Sequence, residues 1–377
     1  MASLPPSRPV RCAILPPVPV PYREPLFARL AERGRIEPTV IYQAGVQPGW
    51  DQRPDWFPEE HPYRAMALRS WQRARPGRSP VILPRGLGGA LGAGDPDCVV
   101  SWEYGATTLR CLAWCRLRRR PLLIFSELTQ HSDGELSPRR LRLHRLLAPR
   151  AAGFVVASSA ARRRLEAMGI DPDLMEVSLQ SAEVERFRGA ASRGAEDGPV
   201  RIVSVGRLVP DKNLPALVES FAGAGLDPGE AELELWGTGP LEEELRRLAA
   251  GTAATVRVGG YVAPQELPGL YARAGALALV STYEPFGVTM REGAAAGLPL
   301  ICSRVAGAAG DVAVEGENAL LVDPGSREEI AAALRRLVRD HDLRARLAAG
   351  SRAVTERHPP EADAEAFERA VIRAVAG

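Results

Sequence analysis

Short apolar runs alternate with amphipathic stretches along the whole chain, and this alternation leaves few folds open. In the first half the apolar runs are VRCAIL, PTVIY, DCVVSW, PLLIF and GFVVAS, interleaved with EPLFARLAERG, TTLRCLAWCRLRRR, SPRRLRLHRLLAPR and SAARRRLEAMG. In the second half VRIVSVG, AELELWG, VRVGG, ALALVS, PLICS and ALLVD alternate with NLPALVESFAGA, GPLEEELRRLAA, PQELPGLYARA, VTMREGAAAG and SREEIAAALRRLV. Runs this short, apolar at consecutive positions, are strands covered on both faces, and strands joined through helices run parallel. The expectation is an α/β chain whose halves each form a doubly wound parallel sheet. A length of 377 residues suits two such domains.

The polar, glycine-rich stretch FRGAASRGAEDGP at 187–199 has no apolar period and reads as a linker. The first domain is therefore placed over 1–188 and the second over 200–357. The HisProPro at 358–360 stops the helical pattern and sets off a last helix over 360–377. Two doubly wound domains joined this way face each other across a cleft, with ligands at the carboxyl ends of the strands.

Composition excludes several classes. Hydrophobic residues at 45% and charged residues at 25% rule out extended disorder. No apolar run is long enough to span a bilayer. The start, MASLPPSRPVRCAILPPVPVP, is broken by prolines and makes a poor signal-peptide core. The five cysteines are scattered; Cys111 and Cys115 are four apart on a helix with no second pair to complete a zinc site. They read as reduced structural thiols in a cytoplasmic protein. The sequence AspProAsp occurs at 95–97 and 171–173, before a strand and after a helix, and both read as turns, so no metal is expected.

The net charge of +2 conceals an asymmetry: residues 1–199 carry 29 basic and 21 acidic side chains, residues 200–377 carry 19 and 25. Of the 48 basic residues one alone, Lys212, is a lysine. A lone lysine among arginines suggests a place for a compact ammonium where a planar fork will not serve.

Three motifs carry chemistry. In STYEPFGVTMREGAAAGLPLICS, 281–303, a strand is followed by a loop and then by a helix opening at Gly287. The first turn of that helix offers free N–H groups to an anion, and Gly287 lets a ligand come close to the backbone. Glu284 stands before the helix, and Glu292 lies roughly 7–8 Å along it at 1.5 Å per residue. In VSVGRLVPDKNLPALVESF, 203–221, a strand ends at Gly206, Arg207 and Lys212 follow in the loop, and Asn213 is placed to cap the next helix. Two cations beside an anion-binding helix suit a diphosphate leaving group, whose charge they stabilise as its bond breaks. In LWGTGPLEEEL, 235–245, Gly237 and Gly239 make a tight strand-to-helix turn that admits a ligand.

Taken in order, GRLVPDKN, GTGP, GGYV, the E-x7-E of EPFGVTMRE, GLPLICS and GENALLVDP resemble glycosyltransferase family 4, retaining nucleotide-sugar enzymes of the GT-B fold. The resemblance covers about residues 200–340. It implies that Arg207 and Lys212 grip the diphosphate and that Glu284 contacts the transferred sugar. The backbone at Phe286, Gly287 and Val288 would meet phosphate, Glu292 would bind the ribose hydroxyls, and Tyr261 and Val262 would lie near the base. The amino half is looser: Tyr22 and Arg23 stand where the family has a glycine-rich loop, and Glu127 and His131 fall where many members place a histidine at the sugar.

The function so implied is retaining transfer of a hexose-type sugar from a nucleotide-diphosphate sugar to a hydroxyl of a glycan, lipid-linked or small-molecule acceptor, without a metal or other cofactor. The alternatives are a GT-B sugar-nucleotide epimerase, a phosphorylase, or a catalytically silent binding partner. No nucleic-acid partner is expected. The arginines at 116–120, 139–150 and 162–164 admit weak, salt-sensitive contact with the anionic inner face of a membrane.

Overall fold

The computed structural model describes residues 8–46, 60–75, 78–188 and 198–377. The core of the expected linker, 189–197, and the start of the chain, 1–7, lie outside the described residues. Chain contacts divide the protein into two units, Met1–Ser181 with Pro360–Gly377, and Ala182–Pro359.

The first unit runs β1 (Val10–Leu15), α1 (Glu24–Glu32), β2 (Ile36–Tyr42), β3 (Arg64–Ala67), β4 (Ser70–Arg75), β5 (Arg78–Pro84), α2 (Leu87–Gly94) and β6 (Cys98–Trp102). It continues through α3 (Ala106–Arg118), β7 (Leu122–Ser126), α4 (Gln130–Gly134), α5 (Pro138–Leu147), β8 (Gly153–Val156), α6 (Ser159–Ala167) and β9 (Met175–Val177). Seven strands form one parallel sheet in the order β3-β2-β1-β6-β7-β8-β9, and β4 and β5 form a separate antiparallel hairpin. The central strands are buried throughout, as their unbroken apolar runs require.

One face of this sheet packs Val99, Ile124 and Phe154 against Leu91 of α2, Cys111 and Leu112 of α3, Leu147 of α5 and Leu165 of α6. That these helices share a face follows from the strand order: β6, β7 and β8 advance in one direction, so right-handed crossovers put every connecting helix on the same side. The five cysteines are all buried and unpaired.

The second unit runs α7 (Val184–Arg188), β10 (Val200–Val205), α8 (Leu214–Ala222), β11 (Ala231–Trp236), α9 (Glu242–Ala250), β12 (Val256–Gly260), α10 (Leu267–Ala272) and β13 (Ala276–Leu279). Then come α11 (Val288–Ala295), β14 (Leu300–Ser303), β15 (Ala319–Val322), α12 (Arg327–Arg339) and α13 (His341–Arg357). Its six strands are parallel in the order β12-β11-β10-β13-β14-β15. The final helix, α14 (Pro360–Ala376), belongs to the first unit, where it packs on β8, β9 and α1. There Glu368 is buried and paired with Arg33 at 2.9 Å, and the Leu179 N–H donates to Asp363 at 2.9 Å.

Two local readings differ from the sequence. Residues 182–188, expected at the end of the first domain, lie with the second unit, because α7 buries Val184 and Phe187 and sets the Phe187 ring 5.4 Å from that of Tyr271. Asn213 does not cap α8 through its side chain. It sits at φ 56°, and its amide donates instead to the carbonyls of Val280 at 3.2 Å and Pro324 at 2.8 Å. The residue ties three strand ends together rather than closing one helix.

Candidate active site

In each sheet the strand order reverses direction beside its earliest strand, between β1 and β6 in the first unit and between β10 and β13 in the second. Chains leave such adjacent strands to opposite faces, so a crevice opens at their carboxyl ends. The candidate residues of the second unit follow these strands: Gly206, Arg207 and Lys212 come after β10, and Glu284 to Val288 after β13.

The two loops are fastened together. The Thr282 N–H donates to the Asp211 carbonyl at 2.9 Å, and the Asn213 amide reaches Val280. The Lys212 ammonium donates to Glu284 Oε2, which also accepts from the Ser281 hydroxyl at 3.3 Å. Lys212 and Glu284 are partly buried, with 20% and 11% of their side chains exposed, so the pair is shielded but still reachable by a ligand. Arg207 lies on the same loop and is exposed.

Behind Glu284, the N–H groups of Gly307 and Ala308 donate to the carbonyls of Glu284 and Phe286 at 3.0 and 2.9 Å, which fixes the loop before α11. The Phe286 side chain is buried, so its backbone is what remains for a ligand. Gly287 has φ 100°, and a Cβ there would stand 2.8 Å from a Leu279 methyl and 3.3 Å from Glu284. A side chain there would be strained by the backbone and would have to displace the Leu279 methyl. Val288 is half-buried at the start of α11.

Glu292 projects from α11 and accepts from the Tyr271 hydroxyl at 3.2 Å. Burial pushes the Glu292 carboxyl up to about 7, the Tyr271 bond pulls it down, and Glu183 and Arg186 of the neighbouring segment act in opposite senses. Burial and Glu292 together push the Tyr271 hydroxyl well above its ordinary range. The turn after β11 lies against the turn after β10: a Cβ on Gly237, at φ 143°, would be 1.8 Å from the Gly206 carbonyl oxygen. A Cβ on Gly239 would be 2.3 Å from the Leu208 carbonyl oxygen. The Gly237 N–H donates to Gly260 at 2.6 Å, which places Tyr261 and Val262, both half-buried, next along from β12.

In the first unit Tyr22, Arg23 and Glu127 come together. The Arg23 guanidinium is buried, donates to Glu127 Oε1 at 3.0 Å, and lies 4.6 Å from the Trp102 ring and 5.3 Å from that of Tyr22. Trp102 stacks on Phe125 at 3.7 Å and donates its indole N–H to the same Glu127 oxygen at 3.2 Å. His131, four residues on from Glu127, is exposed on α4.

Two residues here escaped the sequence reading. Glu103, half-buried after β6 at φ 54°, accepts the Glu127 N–H at 2.5 Å and the Ser126 hydroxyl at 3.0 Å. Burial and then the Glu127 carboxylate push Glu103 up to about 7, against the pull of the Glu127 N–H, Arg164 and Ser126. Its one visible signal was a carboxylate directly after a buried strand. Tyr271 gave none, being one apolar position of an amphipathic helix.

The AspProAsp turns do other work. Burial opposes the charge on Asp97, but Arg8 and Arg11 hold its carboxyl well below the usual range. The Asp173 N–H closes a turn on Asp171 at 2.9 Å. Among the described residues no three His, Cys, Asp or Glu side chains are grouped to hold a metal ion.

Comparison with known proteins agrees with this geometry. Residues 187–354 match the family described as Glycosyl transferases group 1, and residues 18–178 match the Glycosyl transferase 4-like domain. An uncharacterized glycosyltransferase of Methanocaldococcus jannaschii is 30% identical over 178 residues, 47% of this chain and 45% of that protein. Glycogen synthase of Mycobacterium tuberculosis is 32% identical over 178 residues, 45% of this chain and 41% of that protein. The match thus spans less than half the length of these curated relatives. Among solved structures, Anabaena HepE in complex with UDP and glucose has a TM-score of 0.75 at 19% identity, over 96% of this chain and 98% of that one. With a domain of this kind matched in each half and a GT-B neighbour along nearly its whole length, the chain belongs to the GT-B glycosyltransferases of the family 4 type.

Proposed function

We propose that this protein is a retaining glycosyltransferase that moves a hexose-type sugar from a nucleoside diphosphate sugar to an acceptor hydroxyl on a glycan, a lipid-linked glycan or a small molecule. The observation that carries the reading is the pairing of Lys212 with Glu284 at the strand-order reversal, directly before the helix that opens at Gly287. A cation, a carboxylate and free backbone N–H groups at one point suit a phosphate joined to a hydroxyl-rich ring.

In this reading Arg207, Lys212 and the backbone at Phe286, Gly287 and Val288 hold the diphosphate. Glu292 accepts the ribose hydroxyls, the turns at Gly206, Gly237 and Gly239 admit the donor closely, and Tyr261 and Val262 border the base. Glu284 accepts from the sugar. The bond from the anomeric carbon to the diphosphate breaks as the bond to the acceptor oxygen forms on the same face, and the hydroxyl proton passes to the departing diphosphate. Arg207, Lys212 and the helix start stabilise the charge that develops there, so no metal is needed. Tyr22, Arg23, Glu127 and His131 serve the acceptor or sugar side, with Arg23 and Trp102 holding the Glu127 carboxylate in place.

UDP and UDP-glucose occupy the similar HepE fold, which makes them the first probes to try. A thermal-shift panel of nucleoside diphosphates and their sugars tests the donor, because selective binding stabilises the folded state. No shift with any of them overturns the reading. Release of an epimerised sugar without acceptor, or transfer to phosphate alone, replaces it with an epimerase or a phosphorylase. Donor binding without turnover makes the chain a silent partner. Complete loss of transfer with a chelator, restored by magnesium, removes the metal-free mechanism.

A further inference from the structure

Three consecutive arginines on α6 are placed in three different ways. Arg162 pairs with Glu166 at 3.0 Å along the helix, Arg163 is exposed, and Arg164 has none of its side chain exposed. The helical period turns the third one inward: Arg164 shares the inner face with Ala161 and Leu165, both fully buried. A guanidinium thus occupies a position that an amphipathic helix gives to an apolar residue.

Polar groups of two other helices hold it there. Arg164 Nε donates to Asp133 Oδ1 of α4 at 2.8 Å, Nη2 lies 2.7 Å from the same oxygen, and Nη2 is 2.9 Å from Nδ1 of His144 on α5. The Tyr104 ring stacks on that of His144 at 4.6 Å and lies 5.6 Å from the guanidinium carbon. Burial, and then the charges of Arg164 and Arg140, push His144 down to about 3, so its ring is neutral and Nδ1 accepts.

A buried ion pair is seldom worth more to a fold than apolar side chains of similar volume. What this one supplies is a fixed place for α4. That helix, Gln130–Gly134, has five residues, too few to hold itself. It packs on α6, and Asp133 ties it there two positions after His131. The other end of the segment is fixed as well. Glu103 accepts the Glu127 N–H and is itself pinned: its own N–H donates to the Phe125 carbonyl at 2.8 Å, and its carbonyl accepts from the Thr108 hydroxyl at 2.7 Å. Between the two ends Leu128, Thr129 and Ser132 are buried, and the Thr129 N–H donates to the Ser132 hydroxyl at 3.2 Å. The stretch 127–134, which carries Glu127 and His131, is clamped at both ends.

We propose that Arg164 and Asp133 are positioning residues for the transfer: with Glu103 at the other end, they set the segment that presents Glu127 and His131 to the sugar side. They act through those two residues and not on the substrate itself. The proposal rests on the transferase reading.

The test replaces the pair together, Asp133→Ala with Arg164→Met, so that no unpaired cation is left in the core. Thermal melting should stay near that of the parent. Amide hydrogen exchange across 128–134 should quicken by at least about tenfold, while β6, β7 and α6 keep their protection. For UDP release from UDP-glucose, kcat should fall about tenfold or more and KM should stay within about twofold, because the donor loops belong to the other unit. Combined with Glu127→Gln and, separately, with His131→Ala, the double change should be less than additive with at least one of them, since a displaced side chain has less to lose. Asp133→Asn, at a side chain 27% exposed, is a milder change that should move exchange and kcat in the same direction. Exchange at 128–134 that matches the parent overturns the proposal. So does a kcat that stays at the parent's level, or strict additivity with both single changes. A parent chain that releases no UDP counts against the transferase reading alone, and the exchange profile still decides whether the pair anchors the segment.

Discussion

With Glu292 holding the ribose hydroxyls as proposed, donor affinity should depend on pH, and the raised carboxyl sets the direction. A carboxylate accepts hydroxyls as a base, and the ionised form is the competent one. Burial holds this carboxyl up to about 7 rather than at its ordinary 4.5. At pH 6 about one molecule in eleven then carries the charge, at pH 8 about ten in eleven, so the apparent Kd for donor should fall by about tenfold across that range. UDP-glucose is the probe, because its doubly esterified diphosphate does not titrate there, whereas free UDP does. Isothermal titration at intervals of pH gives the curve. Tyr271→Phe removes the hydroxyl that donates to Glu292 at 3.2 Å. A hydrogen bond to a charged group contributes about 1.5–3 kcal/mol, so the midpoint should rise by about one unit or more. Glu292→Gln should bind weakly and show no midpoint. Glu103 also ionises at about 7 but lies in the other unit, so Glu103→Gln should leave the donor curve where it was. An affinity that is flat between pH 6 and 8, falls with rising pH, or keeps its midpoint in Glu292→Gln refutes the reasoning.

Three further outcomes are expected. Lys212→Ala and Arg207→Ala should each lower transfer at least about a hundredfold, roughly 2.7 kcal/mol. Lys212→Arg should also be impaired, because a planar fork does not sit on Glu284 as an ammonium does; steady-state kinetics with full activity in that variant would make the single lysine incidental. Gly237→Ala should destabilise the chain by about 2 kcal/mol or more in urea melts, since φ 143° and a 1.8 Å approach to the Gly206 carbonyl both oppose a Cβ. Glu103, raised from 4.5 to about 7 in the folded chain, keeps its proton better folded than unfolded. Its contribution is therefore lost as pH climbs from about 4.5 to about 7, and Glu103→Gln should be the more stable protein at pH 8 by up to about 3 kcal/mol in parallel urea melts.

The parallel sheets were legible because strands covered on both faces have few polar positions to blur them: VRCAIL, DCVVSW and ALALVS stand out from any surrounding helix. The donor-side loops were legible for a related reason. Glycine, lysine and glutamate directly after such strands break sharply with the apolar runs before them. The hairpin β4–β5 was not read, since SWQRAR and RSPVILP mix arginine and proline into short runs and mimic a loop. Nor could spacing reveal that Asn213 would take φ 56° and reach for Val280 and Pro324, because its partners lie 67 and 111 residues away. Glu103 and Tyr271 were hidden by the same distance: each matters through a partner, Glu127 or Glu292, that the fold brings from another element.

The membership of α14 in the first unit has a consequence for synthesis. A ribosome delivers β1 to β9 first, yet the helix that covers β8 and β9 and gives Arg33 its buried partner Glu368 is made only after residues 182–359. Residues 182–359 are contiguous and emerge complete before it. The earlier-made sheet must therefore wait, with β8 and β9 uncovered on that side, until residues 360–377 have been made. The vectorial order of birth and the order of completion are opposite: the second unit is whole before α14 exists, and the first unit closes only once residues 360–377 have been made.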